Sequence, residues 1–174
     1  KEPESFERVH NKLRVHSKVE TLSELYQQNS ECQRCTLGPT RNQFVFGSGN
    51  NGSLLLFIGE GPGADEDRLG LPFVGKAGKL LDRMIDVIGL VREDVYVTNV
   101  VKCRPPNNRN PTSDEIGHCM GILERQIELV NPKLIITLGN VPTQALLPGS
   151  PGITKSRGNL KKYRDWDILP TFHP

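Results

Sequence analysis

Short apolar runs recur along the chain at Leu54–Ile58, Val95–Val101, Leu134–Leu138 and Ile168–Thr171. Each is too short for a buried helix and rich enough in Val, Ile and Leu to read as a buried strand. Between them the period changes. Leu80, Leu81, Met84, Ile85 and Ile88 follow i, i+3, i+4 spacing and predict a helix over Lys76–Ile88, ended by Gly89. Thr112 and Glu115 form a capping box that opens a helix running to about Val130, and a short helix to Leu147 follows the third apolar run. Upstream, Thr21 and Glu24 repeat the signature, with Leu22, Leu25 and Tyr26 on one face of a helix reaching Asn29. Lys1–Lys18 is a polar, weakly patterned arm. Thr36–Ser53 reads as loop around Phe44-Val45-Phe46, and Lys155–Arg164 as a basic loop.

Strands alternating with helices predict a parallel sheet covered on both faces. The expected architecture is a three-layer α/β/α sandwich with a central four-stranded parallel sheet. It forms a single domain over residues 1–174, with a polar arm over 1–20. The first strand runs into the glycine-rich turn Gly59-Glu60-Gly61-Pro62-Gly63, then an acidic segment, then a second loop at Pro72-Phe73-Val74-Gly75. The other strands end at Asn99, at Gly139-Asn140 and at His173. In an open parallel sheet these ends share one edge, where ligands bind. A carboxylate, an amide and an imidazole are thus expected in one crevice. Singly, each is an ordinary loop residue; their convergence makes the site. The GEGPG turn lacks both dinucleotide spacing and the ending of a P-loop. An Asn side chain offers an acceptor and donors, which matches an imide edge such as uracil N3–H with O4. A histidine donor would stabilise charge on a departing base. Phe73 is either a stacking platform for a planar ring or an ordinary core residue.

Composition narrows the class. The chain has 174 residues, 36% hydrophobic and 24% charged, enough for one real core. A net charge of +2 does not by itself demand nucleic acid. No apolar run approaches the ~20 residues that span a bilayer, and the first residues lack a secretory pattern. The four cysteines then favour a reducing compartment and metal over disulfides. Cys32 and Cys35 form a CxxC pair; Cys103 and Cys119 follow far along, widely split. The set fits a four-thiolate site for zinc or an iron–sulfur cluster. The wide second pair favours the cluster, in a structural role.

Five features read together resemble the family 4 uracil-DNA glycosylases, the iron–sulfur branch of that superfamily. They are the CxxC at Cys32 and Cys35, GEGPG at Gly59–Gly63 followed by PFVGKAG, VTNVVKCRPPNNRNP at Val97–Pro111, Cys119, and the terminal TFHP. The resemblance covers roughly Leu25 to Pro174. It implies that Cys32, Cys35, Cys103 and Cys119 ligate a [4Fe–4S] cluster. It also implies that Glu60 and Gly61 line a uracil pocket, that Phe73 stacks on the flipped base and that Asn99 reads its Watson–Crick edge. His173 would hydrogen-bond uracil O2, Glu66 would exclude thymine's methyl, and Asn108 would stand near the site on the cluster-tethered loop. Gly61 occupies the position where family 1 enzymes carry a water-orienting aspartate, so the water activator stays open, with Glu60 the candidate by location. The family continues past HP with a short apolar segment, so a longer chain is expected. The loop over Asn107–Pro111 lacks the inserted histidine of a covalently trapping class, which favours turnover.

The expected partner is uracil-containing DNA, single- or double-stranded, with free uracil as product. The protein is expected to be monomeric, cytoplasmic and prokaryotic, with no membrane. Lys155, Arg157, Lys161 and Lys162, with Arg164, are candidates for phosphate contact, against the alternative of ordinary solvated charge. Two rival readings are a non-catalytic DNA-binding protein on the same fold and a small iron–sulfur redox protein. The first would lose the Glu60, Asn99 and His173 set; the second leaves GEGPG and His173 unexplained.

Overall fold

The computed structural model describes residues 20–174; the polar arm Lys1–Lys18 lies outside the described residues. Helix α1 spans Leu22–Asn29, entered through a complete capping box between Thr21 and Glu24. Among the described residues six strands form one sheet: β1 (Ser48–Gly49), β2 (Leu55–Gly59), β3 (Tyr96–Asn99), β4 (Leu134–Leu138), β5 (Lys161–Tyr163) and β6 (Trp166–Thr171). The remaining helices are α2 (Ala64–Leu69), α3 (Lys76–Val87), α4 (Ser113–Val130), α5 (Asn140–Leu146) and α6 (Ile153–Ser156). The strand order is β1-β3-β2-β4-β6-β5. β3, β2, β4 and β6 pair in parallel, whereas β1 and β5 pair antiparallel at the two edges.

The four-stranded parallel centre agrees with the sequence reading, but the sheet is larger than four strands. The edge strands span only two and three residues, too few to show an alternating pattern. The basic loop over Lys155–Arg164 is in fact half structured, since it carries α6 and β5. The acidic segment after GEGPG is α2, a helix too short to show a period.

The strands point their side chains to two cores. Leu56, Ile58, Tyr96 and Ile135 pack with Ile122, Leu123 and Ile127 of α4 on one face. Phe57, Val97 and Leu138 pack with Leu81 and Ile85 of α3 on the other. Alternation along β2 therefore feeds both layers, which makes the sandwich three-layered. On α3 only the middle of the predicted stripe is covered: Leu80, Met84 and Ile88 stay exposed at its margins. Among the described residues no helix is long and apolar enough to cross a membrane.

The chain leaves β2 for β3 on one side and later for β4 on the other. Loops diverge at that switch and leave a crevice beyond the carboxyl ends of the strands.

Candidate active site

A cavity of about 380 Å³ opens at that crevice. Glu60, Gly61, Glu66, Phe73, Asn99, Asn108 and His173 all line it, so each residue expected in the pocket reaches it. Pro105 and Arg109 also line it and were not foreseen. Their signal was the proline- and asparagine-rich loop itself, which sequence alone could not aim.

Asn99 ends β3 opposite Gly59, the last residue of β2. It is 1% exposed, and its Oδ1 has no hydrogen-bond partner. A Cβ on Gly59 would stand 2.4 Å from both Asn99 Oδ1 and Phe73 Cζ, so only glycine lets the amide and the ring meet here. Phe73 adopts φ +54°, a left-handed conformation that costs a bulky residue about 1–3 kcal/mol. Arg92 offsets this by donating to the carbonyl oxygens of Pro72 at 2.6 Å and Phe73 at 3.5 Å, and by pairing with Asp82 at 3.0 Å.

Glu66 joins the two glycine loops. Its Oε1 accepts from the N–H groups of Val74 at 2.9 Å and Gly75 at 2.8 Å, and its Oε2 from Gly63 N–H at 3.1 Å. The carboxylate is thus fixed as part of the pocket wall. The half-buried Glu60 accepts from Val101 N–H at 3.1 Å through its carbonyl oxygen, while its carboxylate has no hydrogen-bond partner among the described residues. Burial raises its pKa above the ordinary 4.5, and a charged His173 opposes that rise. His173 follows β6 and sits over Gly139, whose added Cβ would lie 3.3 Å from His173 Cβ. The imidazole is tilted against Phe73 with ring centres 6.0 Å apart. Its Nδ1 lies 2.8 Å from the Pro174 carbonyl oxygen. A carbonyl only accepts, so Nδ1 carries the proton and Nε2 is left for a ligand.

Asn107 and Asn108 both take left-handed backbone, at φ 55° and 54°. Arg104 Nε donates to Asn108 Oδ1 at 2.8 Å. Arg109 grips Glu115 with two N–H groups, at 2.7 and 2.8 Å. Glu115 is buried and also accepts from Thr36 Oγ1 at 2.7 Å and Thr112 N–H at 2.8 Å. Arg109 foremost, with Thr112 and Thr36, holds its carboxyl down at about 2.

Beyond this node lie the cysteines. Cys103 and Cys119 are buried, while Cys32 and Cys35 are half-buried. Burial pushes the Cys103 thiol up to about 12 against Arg41, with Cys119 and Cys35 adding to the rise. Burial also raises Cys119, where Cys35 and Cys32 add to the effect. Burial alone would raise Cys32 too, but Arg34, whose Nε is 3.3 Å from its sulfur, and Arg41 bring it down instead. Arg41 also donates to the Cys32 carbonyl oxygen at 2.6 Å and approaches Cys103 Sγ at 3.6 Å. Neither arginine was anticipated. Burial draws the Lys102 ammonium down to about 7, with Cys119 and Cys103 pulling the other way.

Among the described residues, no three His, Cys, Asp or Glu side chains are gathered tightly enough to hold a single metal ion. A single zinc draws four sulfurs to about 2.3 Å, whereas a multi-iron cluster spreads them around a larger body. The donor set is all sulfur, a chemistry that suits either a zinc ion or an iron–sulfur cluster.

The candidate phosphate-binding residues divide. Lys155 and Arg157 flank the end of α6, and the Arg157 guanidinium lies 4.6 Å above the Phe172 ring, next to His173. Lys161 is on β5. Lys162 pairs with Asp167 at 2.8 Å, and Arg164 with Glu124 at 2.6 Å, so their charges are partly answered within the protein.

Comparison with known proteins agrees with this geometry. The sequence model of the Uracil DNA glycosylase superfamily matches residues 46–174. A type-4 uracil-DNA glycosylase from Saccharolobus solfataricus is 45% identical over 165 residues, covering 90% of this chain and 76% of that one. Its counterpart from Sulfurisphaera tokodaii is 43% identical over 90% and 75%. One from Thermotoga maritima is 42% identical over 92% and 84%. The chain belongs to the uracil DNA glycosylase superfamily, on its type-4 branch.

Proposed function

We propose that this chain removes uracil from DNA by hydrolysing the N-glycosidic bond, after the nucleotide has been turned out of the helix into the pocket. The observation that carries this reading is Asn99 Oδ1, a buried acceptor without a partner in the lining of the cavity. A buried polar atom is left unpaired at a cost of about 1–3 kcal/mol unless a ligand supplies the missing bond. Uracil N3–H supplies it, and Asn99 Nδ2 can then donate to O4. Cytosine presents the reverse pattern, an acceptor at N3 and a donor at the exocyclic amine. The Phe73 ring offers the stacking face, and the fixed Glu66 carboxylate forms the wall that leaves no room for thymine's methyl.

Bond cleavage builds negative charge on the base and positive charge on the sugar. His173 stabilises the base by donating from Nε2 to O2. With Nδ1 committed to the Pro174 carbonyl, that donation requires a proton on Nε2 as well. Glu60 is also the candidate for orienting water. Gly61 rests against Val101, where a Cβ would stand 2.7 Å from Cγ2, so this position is open for backbone rather than for a second carboxylate.

Cys32, Cys35, Cys103 and Cys119 would hold a [4Fe–4S] cluster, as expected for the type-4 branch. Once bound, the cluster supplies covalent ties among segments far apart in sequence. Lys155, Arg157 and Lys161 are the residues read as contacting DNA phosphates, with Lys162 contributing less because Asp167 answers its charge.

The test is base release from single-stranded and duplex oligonucleotides carrying one U, one T or one C. Release of uracil alone is expected. DNA binding without release would replace this reading with a non-catalytic DNA-binding protein.

A further inference from the structure

Phe172 follows β6 and immediately precedes His173, and its ring is 43% exposed. Arg157 lays its guanidinium over this ring, 4.6 Å from the centroid, within the ~6 Å reach of a cation–π contact. No carboxylate among the described residues pairs with that guanidinium. Arg104 and Arg109, on the loop after β3, spend N–H groups on Asn108, Asn110 and Glu115 instead. A ring holds a guanidinium without consuming its N–H groups, so the fork of Arg157 stays available for two oxygens of one phosphate. The backbone around Arg157 is tied at two points. Ile153 N–H donates to Asn140 Oδ1 at 3.2 Å, and Gly158 N–H donates to the Pro170 carbonyl oxygen at 2.9 Å. Asn140 follows Gly139, over which His173 sits, and Pro170 is on β6, which leads to His173. Both ties therefore run to the strand ends that carry the histidine. The base fixes which side this is. Asn99 is 1% exposed and marks the deep end, where N3 and O4 are read, whereas His173 is exposed and faces O2, next to the glycosidic nitrogen. A residue adjoining His173 thus stands on the sugar–phosphate side of the pocket.

We propose that Phe172 is a positioning residue: its ring carries the Arg157 guanidinium so that this arginine grips a phosphate flanking the extruded nucleotide. Arg157 thereby serves one phosphate of the flipped state rather than DNA at large. This rests on the uracil pocket proposed above. It also accounts for an exposed aromatic ring beside the histidine, and for the contrast with Lys162 and Arg164, whose charges Asp167 and Glu124 answer.

The experiment compares the wild-type chain with Arg157→Gln, Phe172→Leu, Phe172→Tyr and the Arg157→Gln/Phe172→Leu double variant. The substrates are uracil oligonucleotides with ordinary phosphates, or with an uncharged methylphosphonate at the 5′ or the 3′ phosphate of the deoxyuridine. Two properties are read: kcat/KM for uracil release and affinity for uracil-free DNA. On the ordinary substrate Arg157→Gln should lower kcat/KM by about 10- to 100-fold, the range of a charge-assisted hydrogen bond. With one of the two methylphosphonates it should cost nothing further, because that contact is already gone. Phe172→Leu should cost about 2- to 5-fold, the scale of an exposed cation–π contact. Phe172→Tyr, which keeps the ring, should match the wild type, and Phe172→Leu should add no loss in the Arg157→Gln background. Affinity for uracil-free DNA should stay unchanged throughout. Equal losses on uracil-free DNA would overturn the proposal, and so would a full Arg157→Gln loss on both methylphosphonates. Additive losses in the double variant, or a Phe172→Tyr loss equal to that of Phe172→Leu, would make Phe172 a structural residue and overturn it as well. A wild-type chain that releases no uracil from the ordinary substrate would instead overturn the glycosylase reading, which keeps the two failures apart.

Discussion

Around the pocket, position is set by backbone. Phe73 and Asn108 stand in left-handed conformations, Gly59 leaves free the space where a Cβ would stand 2.4 Å from Asn99 Oδ1, and Glu66 spends its carboxylate on main-chain N–H groups. Around the cysteines, position is set by side-chain charge: Arg109 and Thr36 converge on buried Glu115, and Arg41 spans Cys32 and Cys103. The pocket keeps one buried acceptor unanswered, whereas the Glu115 node answers every oxygen it buries. A ligand site must leave something for the ligand to complete; a structural corner must not. Changes in the first region should therefore cost chemistry, and changes in the second should cost stability.

The sharpest break comes from His173→Ala. It should slow single-turnover base release by about 10²–10⁴-fold, the scale of positioned proton donors, with little loss of DNA affinity. Equal losses in both would make the imidazole a structural group. Next is Gly59→Ala, which drives a methyl into the contact between Asn99 and Phe73. Uracil release should fall by more than tenfold while the fold persists, because the side chains at the pocket are the ones that must move; unchanged release in the same assay would show that this approach is not required.

On the other side of the comparison, Glu115→Ala should lower unfolding free energy by about 1–3 kcal/mol, the scale of leaving buried hydrogen-bond partners unpaired, as read by denaturant titration. The sign with pH follows from its direction. Its folded pKa of about 2 lies below the ordinary 4.5, so the wild-type stabilisation is fully present above 4.5 and is lost as pH falls toward 2. The variant should lack that acid dependence, and a parallel loss in both proteins would contradict it. The smallest effect concerns Glu60. Burial raises its pKa, so activity that needs its carboxylate should fall with pH at a point above 4.5. Glu60→Gln should remove that acid limb from kcat/KM, and a limb left in place would assign it to another group.

Much of this was legible in the sequence where a single local rule decides. The capping boxes at Thr21 and Thr112 start helices where the spacing says they should. The strand ends carry Glu60, Asn99 and His173 into one cavity because parallel pairing leaves no alternative. What was hidden depends on contacts distant in sequence. β1 and β5 are strands only because β3 and β6 offer them an edge. Arg92 appears in the sequence as an ordinary surface charge, and only the fold brings it to the carbonyls that hold Phe73. Lys162 and Arg164 read as free charge until Asp167 and Glu124 are seen beside them. Burial of Lys102 likewise has no sequence signature, since lysine next to cysteine is usually solvated.

The two edge strands matter for how the protein behaves in a crowded solution. A parallel sheet of apolar strands with an open border would present a long ladder of unpaired N–H and C=O groups to any passing chain. Here that border is closed by antiparallel strands of two and three residues, and the outer one carries Lys161 and Lys162. A neighbouring molecule finds too short a template to extend and, on one side, a charge to bury before it can begin. The same short hairpin that brings lysines to the surface thus leaves little free edge for a further strand to pair with.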